Sequence, residues 1–273
     1  MPHALVRDPR ALGSHTFDLL VIGGGIYGLT VAADAAQRGL HVALVERNDF
    51  GSGTSFNHLR TIHGGLRYLQ TLDIARARES IHERRTLARI APWAVTPLPF
   101  VLPLHASLTR GPAAMRIGFL LDRLVAGDRN DGVPASHHLA AGRVLARDEA
   151  LATYPDLDGT DLTGAAVWFD YVTRDADRLT LAWAIAAAAA GATLANYIEV
   201  HALIASAGHV VGARATDRTT GETLEIRAAQ VVNATGGSID RLLAPFGAAT
   251  GLPLLQAVNV VTSRPAPPAA LGG

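Results

Sequence analysis

Three glycines in the spacing Gly23-x-Gly25-x-x-Gly28, followed 18 residues later by Glu46, form the pattern with the clearest chemistry in this sequence. Each position suits a dinucleotide. Gly23 permits a tight turn, Gly25 lets backbone approach a pyrophosphate, Gly28 lets a helix pack on a strand, and Glu46 accepts from a ribose hydroxyl. The acidic residue disfavours NADP, whose 2′-phosphate it would repel. Absences narrow the chemistry further. The 273 residues include no Cys, which excludes disulfides, thiolate nucleophiles, Cys-ligated zinc, iron–sulfur clusters and redox dithiols. All 24 basic residues are Arg, so a Walker A loop, a pyridoxal Schiff base and a lysine base are excluded as well. The adjacent His137 and His138 have no carboxylate at ligand spacing, so they read as a solvated loop and no metal site is expected.

The elements that must position this chemistry follow from the apolar pattern. Phe17–Ile22 is a short apolar run ending in three glycines, as a buried parallel strand does at a tight turn. Ile26–Arg38 is rich in helix formers and Gly39 stands where a left-handed cap belongs; Leu40–Glu46 is a second strand, completing a βαβ unit. Gly51–Gly65 reads as an irregular loop, and Leu72–Ala91 as a helix whose five Arg form a solvated face interrupted by Asp73, Glu79 and Glu83. Pro97, Pro99 and Pro103 suit an edge strand, and Pro112 opens a helix to about Val125. Gly164–Phe169 is a strand and an Ala-rich helix follows it. Thr193–Ser206, Val210–Asp217 and Thr223–Arg227 read as a three-stranded antiparallel meander, and Ala229–Thr235 as a further buried strand ending in Gly236-Gly237. The first 16 residues read as a frayed tail without a signal peptide, and Pro265–Gly273 as a segment unable to form a core element. Leu179–Leu194 falls short of the apolar length of a spanning helix, so the chain reads as soluble. A formal net charge of zero argues against a nucleic-acid binder and for small-molecule partners.

Beyond Glu46 the sequence runs Arg47-Asn-Asp-Phe50, Gly51-Ser-Gly-Thr-Ser55 and Ile62-His-Gly-Gly-Leu-Arg-Tyr-Leu69, with Asp175-Ala-Asp-Arg-Leu179 and Val231-Val-Asn-Ala-Thr-Gly236 later. On these stretches it resembles the FAD-dependent glycerol-3-phosphate dehydrogenases, within the D-amino-acid-oxidase-like flavoproteins, from Phe17 to about Arg264. The resemblance implies an α/β fold: a Rossmann-like FAD-binding domain with an inserted antiparallel meander and part of a substrate domain. Gly23, Gly24, Gly25, Gly28, Glu46 and Arg47 would hold the ADP half of FAD, Thr54 and Ser55 the pyrophosphate, and the Val200 backbone the adenine. Ala234-Thr235-Gly236 would close over the dinucleotide, and His63-Gly64-Gly65 would pass close to the isoalloxazine. Arg67 falls where the family places an arginine near its anionic substrate, and Arg60 stands in for a lysine of the family. His63, the one catalytic candidate, is open between a proton acceptor and a packed ring.

The resemblance also implies a division into 17–92 and 171–247 for FAD, with 93–170 and 248–273 belonging to the substrate domain. It implies hydride transfer from a polyol phosphate, or a related secondary alcohol, to flavin N5, with a quinone or another electron acceptor. The expected location is cytoplasmic or peripheral on the inner membrane face. An amine or amino-acid oxidase and a truncated FAD-binding module without turnover are the alternatives. The sequence departs from the family at Ser55-Phe-Asn-His-Leu-Arg60, at Gly236-Gly-Ser238 and at Gln256-Ala-Val-Asn259. The family's chains are about twice as long, so this one is expected to be a fragment or to be completed by another chain.

Overall fold

The computed structural model describes residues 5–109, 111–255, 258, 260, 263 and 269–271. In chain order the first elements are β1 (Thr16–Ile22), α1 (Ile26–Gln37), β2 (Val42–Val45), β3 (Thr61–Ile62), α2 (Ile74–Ile90), β4 (Thr96–Leu104) and α3 (Pro112–Val125). Then come β5 (Arg143–Ala146), α4 (Arg147–Thr153), β6 (Gly164–Val172), α5 (Ala176–Ala189), β7 (Thr193–Ala195) and β8 (Ile198–Ser206). The remainder are β9 (His209–Asp217), β10 (Thr223–Asn233), α6 (Ile239–Leu243) and β11 (Ala270–Leu271).

The chain forms two compact units, 1–59 with 175–259 and 60–174 with 260–273. Residues 60–92, grouped above with the cofactor domain, fold with the second unit because β3 pairs with β6 and α2 carries an arginine bound to that strand.

The first unit holds a six-stranded sheet in the order β7-β2-β1-β10-β9-β8. The first four strands are mutually parallel, and β10, β9 and β8 form the expected antiparallel meander. Two strand boundaries differ from expectation. Thr223–Arg227 and Ala229–Thr235 are not separate strands: β10 is continuous, pairing antiparallel with β9 over its first half and parallel with β1 from Arg227 to Asn233. Conversely, Thr193–Ser206 is broken at Tyr197, whose φ of 57° turns the chain from the parallel edge into the meander. On one face, α1 and α5 pack through Leu29, Ala32, Ala33, Ala36, Ala184 and Ala187, all buried. Alanine is what lets these helices lie close together, so the Ala-rich run serves packing.

Residues 1–16 are not a frayed tail in their described part. Leu12 is fully buried, and Arg7 donates from Nε to the Asn196 carbonyl at 3.0 Å and from Nη2 to Asp217 at 2.7 Å.

In the second unit β11, β4, β6 and β3 form one sheet, with β5 also on β6. The prolines of β4 are tolerated because beyond Phe100 and Val101, where β11 joins, no described strand pairs with its outer edge. The chain end differs from expectation: Ala270–Leu271 pairs parallel with β4 and Ala269 is buried in the core beneath it. Of the five arginines of α2, Arg76, Arg78 and Arg89 are exposed as expected, but Arg84 and Arg85 are not. Arg84 is buried against Asp170, while Arg78 and Arg85 share Asp128. Hydrogen bonds from Arg78 hold the Asp128 carboxyl far below its ordinary range. The His137-His138 segment is a surface loop, as expected, with His138 exposed, and Tyr171 Oη anchors it by donating to the His137 carbonyl at 2.6 Å. No group of residues suited to a metal occurs among the described residues, and no described helix is long and apolar enough to cross a membrane.

Asp217 is nearly inaccessible. Burial pushes its carboxyl up, but hydrogen bonds from Arg7 and Thr219 outweigh this and hold it at about 2. Its contribution to stability is therefore present above the unfolded carboxylate value and lost as pH falls from about 4 through 2. Arg7→Ala should lower the unfolding free energy by about 1.5–3 kcal/mol at neutral pH, and the difference from the parent should shrink over that acid range. Urea titrations of both proteins at several pH values measure it; a pH-independent difference would assign the effect to lost packing of the Arg7 stem.

Candidate functional site

The parallel pairing of β1 with β10 brings two glycine turns together at the carboxyl ends of adjacent strands. Ile22 is in register with Asn233, and Ala234 N–H donates to the Ile22 carbonyl at 2.8 Å. The turns touch: a Cβ on Gly23, whose φ is 111°, would lie 2.5 Å from the Ala234 carbonyl oxygen. A Cβ on Gly28 would lie 1.9 Å from the Gly23 carbonyl oxygen. Both glycines are therefore demanded by the protein's own packing.

Gly25 is different. A Cβ there would meet only the Ser55 hydroxyl at 3.1 Å, so the protein itself leaves the approach open. Gly25 caps α1, and the Ser55 hydroxyl accepts from Ile26 N–H at 2.8 Å. The next two amides, of Tyr27 and Gly28, have no acceptor among the described residues. A helix N-terminus with open amides and bare backbone before it suits a pyrophosphate, and the residues present fit a dinucleotide.

Glu46 follows β2 and its carboxylate orders the surrounding loop: Oε2 accepts from Gly24 N–H at 2.7 Å and Oε1 from Asn48 N–H at 2.8 Å. Each oxygen keeps a second lone pair for a ribose hydroxyl. Arg47 is exposed and its carbonyl accepts from Arg218. Thr54 is exposed in the loop beside Ser55. Val200 lies on β8 opposite Ala215, just before a bulge. In the second turn, Asn233 accepts from the Thr235 hydroxyl at 2.7 Å and donates to the Ile239 carbonyl, fixing the approach to Gly236, whose φ is 58°.

The second unit contains a cavity of about 720 Å³ between α3 and the sheet. One wall is a stacked pair, Phe100 and Trp168, with centroids 5.7 Å apart. His63, Gly65, Arg67 and Asp170 also line it. His63 is exposed, with its ring edge-on to Tyr68 at 6.4 Å. The Arg67 guanidinium stands over the same tyrosine at 5.3 Å and makes no ion pair with a described residue. Arg60 is not among the residues lining this cavity; its Nη1 donates to the Arg174 carbonyl at 2.6 Å. Gly64 is buried beneath, donating to Asp170. Asp170, Arg84 and Trp168 belong to no motif in the sequence, although the two-residue alternation of β6 signals that Trp168 and Asp170 share a face. Of the departing segment Gln256-Ala-Val-Asn259, only Val258 lies within the described residues.

The chain is 44% identical over 237 residues to the mitochondrial glycerol-3-phosphate dehydrogenase of Rattus norvegicus, covering 82% of this chain and 31% of that one. It is 42% identical over 233 residues to the glycerol-3-phosphate dehydrogenase of Mycobacterium leprae, covering 85% and 38% respectively. The solved structure of glycerol-3-phosphate dehydrogenase from Bacillus halodurans complexed with FAD is 31% identical, with a TM-score of 0.62 over 85% of this chain and 36% of that one. The chain thus spans about a third of the length of the curated relatives it matches. The family model for FAD dependent oxidoreductases matches residues 18–271, and the chain belongs to that family.

Proposed function

We propose that this chain binds FAD and forms part of a glycerol-3-phosphate dehydrogenase, its first unit holding the ADP half of the cofactor and its second binding the polyol phosphate. The observation that carries the reading is the meeting of the Gly23 and Ala234–Gly236 turns at the ends of β1 and β10, beside a helix start that only Gly25 leaves accessible. Gly23, Gly24, Gly25 and Gly28 give the backbone approach, with Arg47 beside them. Glu46 accepts from the ribose, Thr54 and Ser55 face the pyrophosphate, and Val200 offers backbone to the adenine. FAD, when bound, supplies the acceptor for a hydride from the substrate's secondary alcohol. In this reading Arg67 binds the phosphate, His63 takes the hydroxyl proton, Gly64 and Gly65 allow the loop to lie close to the flavin, and Arg60 adds a positive charge for an anionic substrate. The reading extends to an electron acceptor such as a quinone and to a peripheral place on a membrane.

Two glycine variants separate cofactor binding from folding. Gly28→Ala should destabilise the protein by about 3 kcal/mol or more, because its Cβ collides with backbone. Gly25→Val should leave the circular dichroism spectrum unchanged and abolish FAD uptake, read from flavin absorbance after desalting. The parent should take up FAD in preference to NAD; NAD binding without flavin uptake would sink the reading.

Arg67→Ala should weaken sn-glycerol 3-phosphate binding by about tenfold to a hundredfold, the equivalent of losing about 1.5–3 kcal/mol from a charge-assisted bond, with flavin content unaltered. Calorimetric titration of the FAD-loaded protein measures this. Titration with amino acids in parallel tests the oxidase alternative, which binding of an amino acid in place of the phosphate would favour.

A further inference from the structure

We infer that Asp170 and Arg84 are positioning residues: they fix the His63-Gly64-Gly65 loop and thereby the direction in which His63 and Arg67 face the cavity. Both side chains are almost inaccessible, with 6% and 7% of their respective surfaces exposed, and they pair directly across α2 and β6. A buried ion pair contributes little net stability over an apolar pair of the same size, so folding alone does not account for it. What it does here is orient its neighbours. Asp170 Oδ1 accepts from Gly64 N–H at 2.7 Å as well as from Arg84, and Oδ2 accepts from Trp168 Nε1 at 3.2 Å. One carboxylate thus ties the loop, the helix and the aromatic wall of the cavity together.

The loop in turn passes close to the guanidinium. A Cβ on Gly64 would be 2.2 Å from Arg84 Nη1, so any side chain here would require the paired guanidinium to shift. Immediately afterwards Gly65, with φ of 74°, turns the chain into the 3₁₀ segment Leu66–Thr71, and its carbonyl accepts from Tyr68 N–H at 2.8 Å. Arg67 lies inside that turn, so its direction is inherited from the Gly64 anchor. In this inference both residues act through the loop, Asp170 from the cavity wall and Arg84 from behind it.

The inference rests on the proposed function only in the choice of ligand used to test it. Arg84→Met combined with Asp170→Leu replaces the pair by apolar side chains of similar size, a change that buried ion pairs generally tolerate. In the FAD-loaded protein, amide hydrogen exchange at Gly64 should accelerate by about a hundredfold while the amides of β4 and β6 stay protected. Binding of sn-glycerol 3-phosphate should weaken by about tenfold or more at equal flavin content. Should the double variant not fold, Arg84→Lys, which keeps the charge and loses the fork, is read by the same two measurements. Unchanged Gly64 exchange, or a freed Gly64 with unaltered ligand affinity, overturns the inference. A parent protein that does not bind sn-glycerol 3-phosphate overturns the proposed function instead, and Gly64 exchange by itself then decides whether the pair holds the loop.

Discussion

The parallel pairing of β1 with β10 is the constraint on which the first unit depends. From Thr16 opposite Arg227 to Ile22 opposite Asn233, the register sets which residue of each strand is last before its glycine turn. A slip of one residue would reverse the faces of β10, exposing Ile226 and Ala228, which are buried. It would also move the Ala234 carbonyl away from Gly23, where only the missing side chain lets the two turns touch. Core packing and site geometry are thus fixed by the same set of backbone hydrogen bonds. The continuity of β10 extends the effect, since its first half also carries the meander.

Local pattern made much of this legible. The βαβ unit, the glycine turn with Glu46 and the helix beginning at Pro112 each depend on residues near one another in sequence, and the structure has them where the pattern places them. Local pattern misleads where distant pairing overrides local alternation. Thr223–Arg227 and Ala229–Thr235 look like two strands because the alternation of the first gives way after Ala228 to the apolar run Val231–Val232, yet the strand only exchanges its partner, from β9 to β1, without a break. Tyr197 gives the opposite error, since a positive φ at a residue other than glycine has no signature in composition. The short β11 was equally hidden, because a proline- and glycine-rich end joins a sheet only where an edge happens to accept it.

Buried charge was the least legible feature. Arg84 stands among other arginines on a helix that reads as polar, and its partner Asp170 is 86 positions away on a strand that reads as apolar. Neither residue's own neighbourhood announces burial. Only the joint placement does, since leaving one of two such charges buried without the other costs about 3–5 kcal/mol. The sheet and α2 are therefore coupled: each supplies a charge that the other must satisfy.

With no lysine in the chain, residue type cannot separate ligand-binding cations from structural ones, and the separation must come from partners. Arg78 and Arg85 are committed to Asp128, Arg129 to Asp122, Arg7 to Asp217 and Arg84 to Asp170. Arg67 is the only arginine among the described residues lining the cavity of the second unit, and no described carboxylate pairs with it. Its contact is instead the face of Tyr68, which orients a guanidinium without neutralising it. The proposed binding of an anionic substrate group rests on this arrangement: an exposed guanidinium beside a cavity, with no ion-pair partner among the described residues, whose planar fork would match the oxygens of a phosphate.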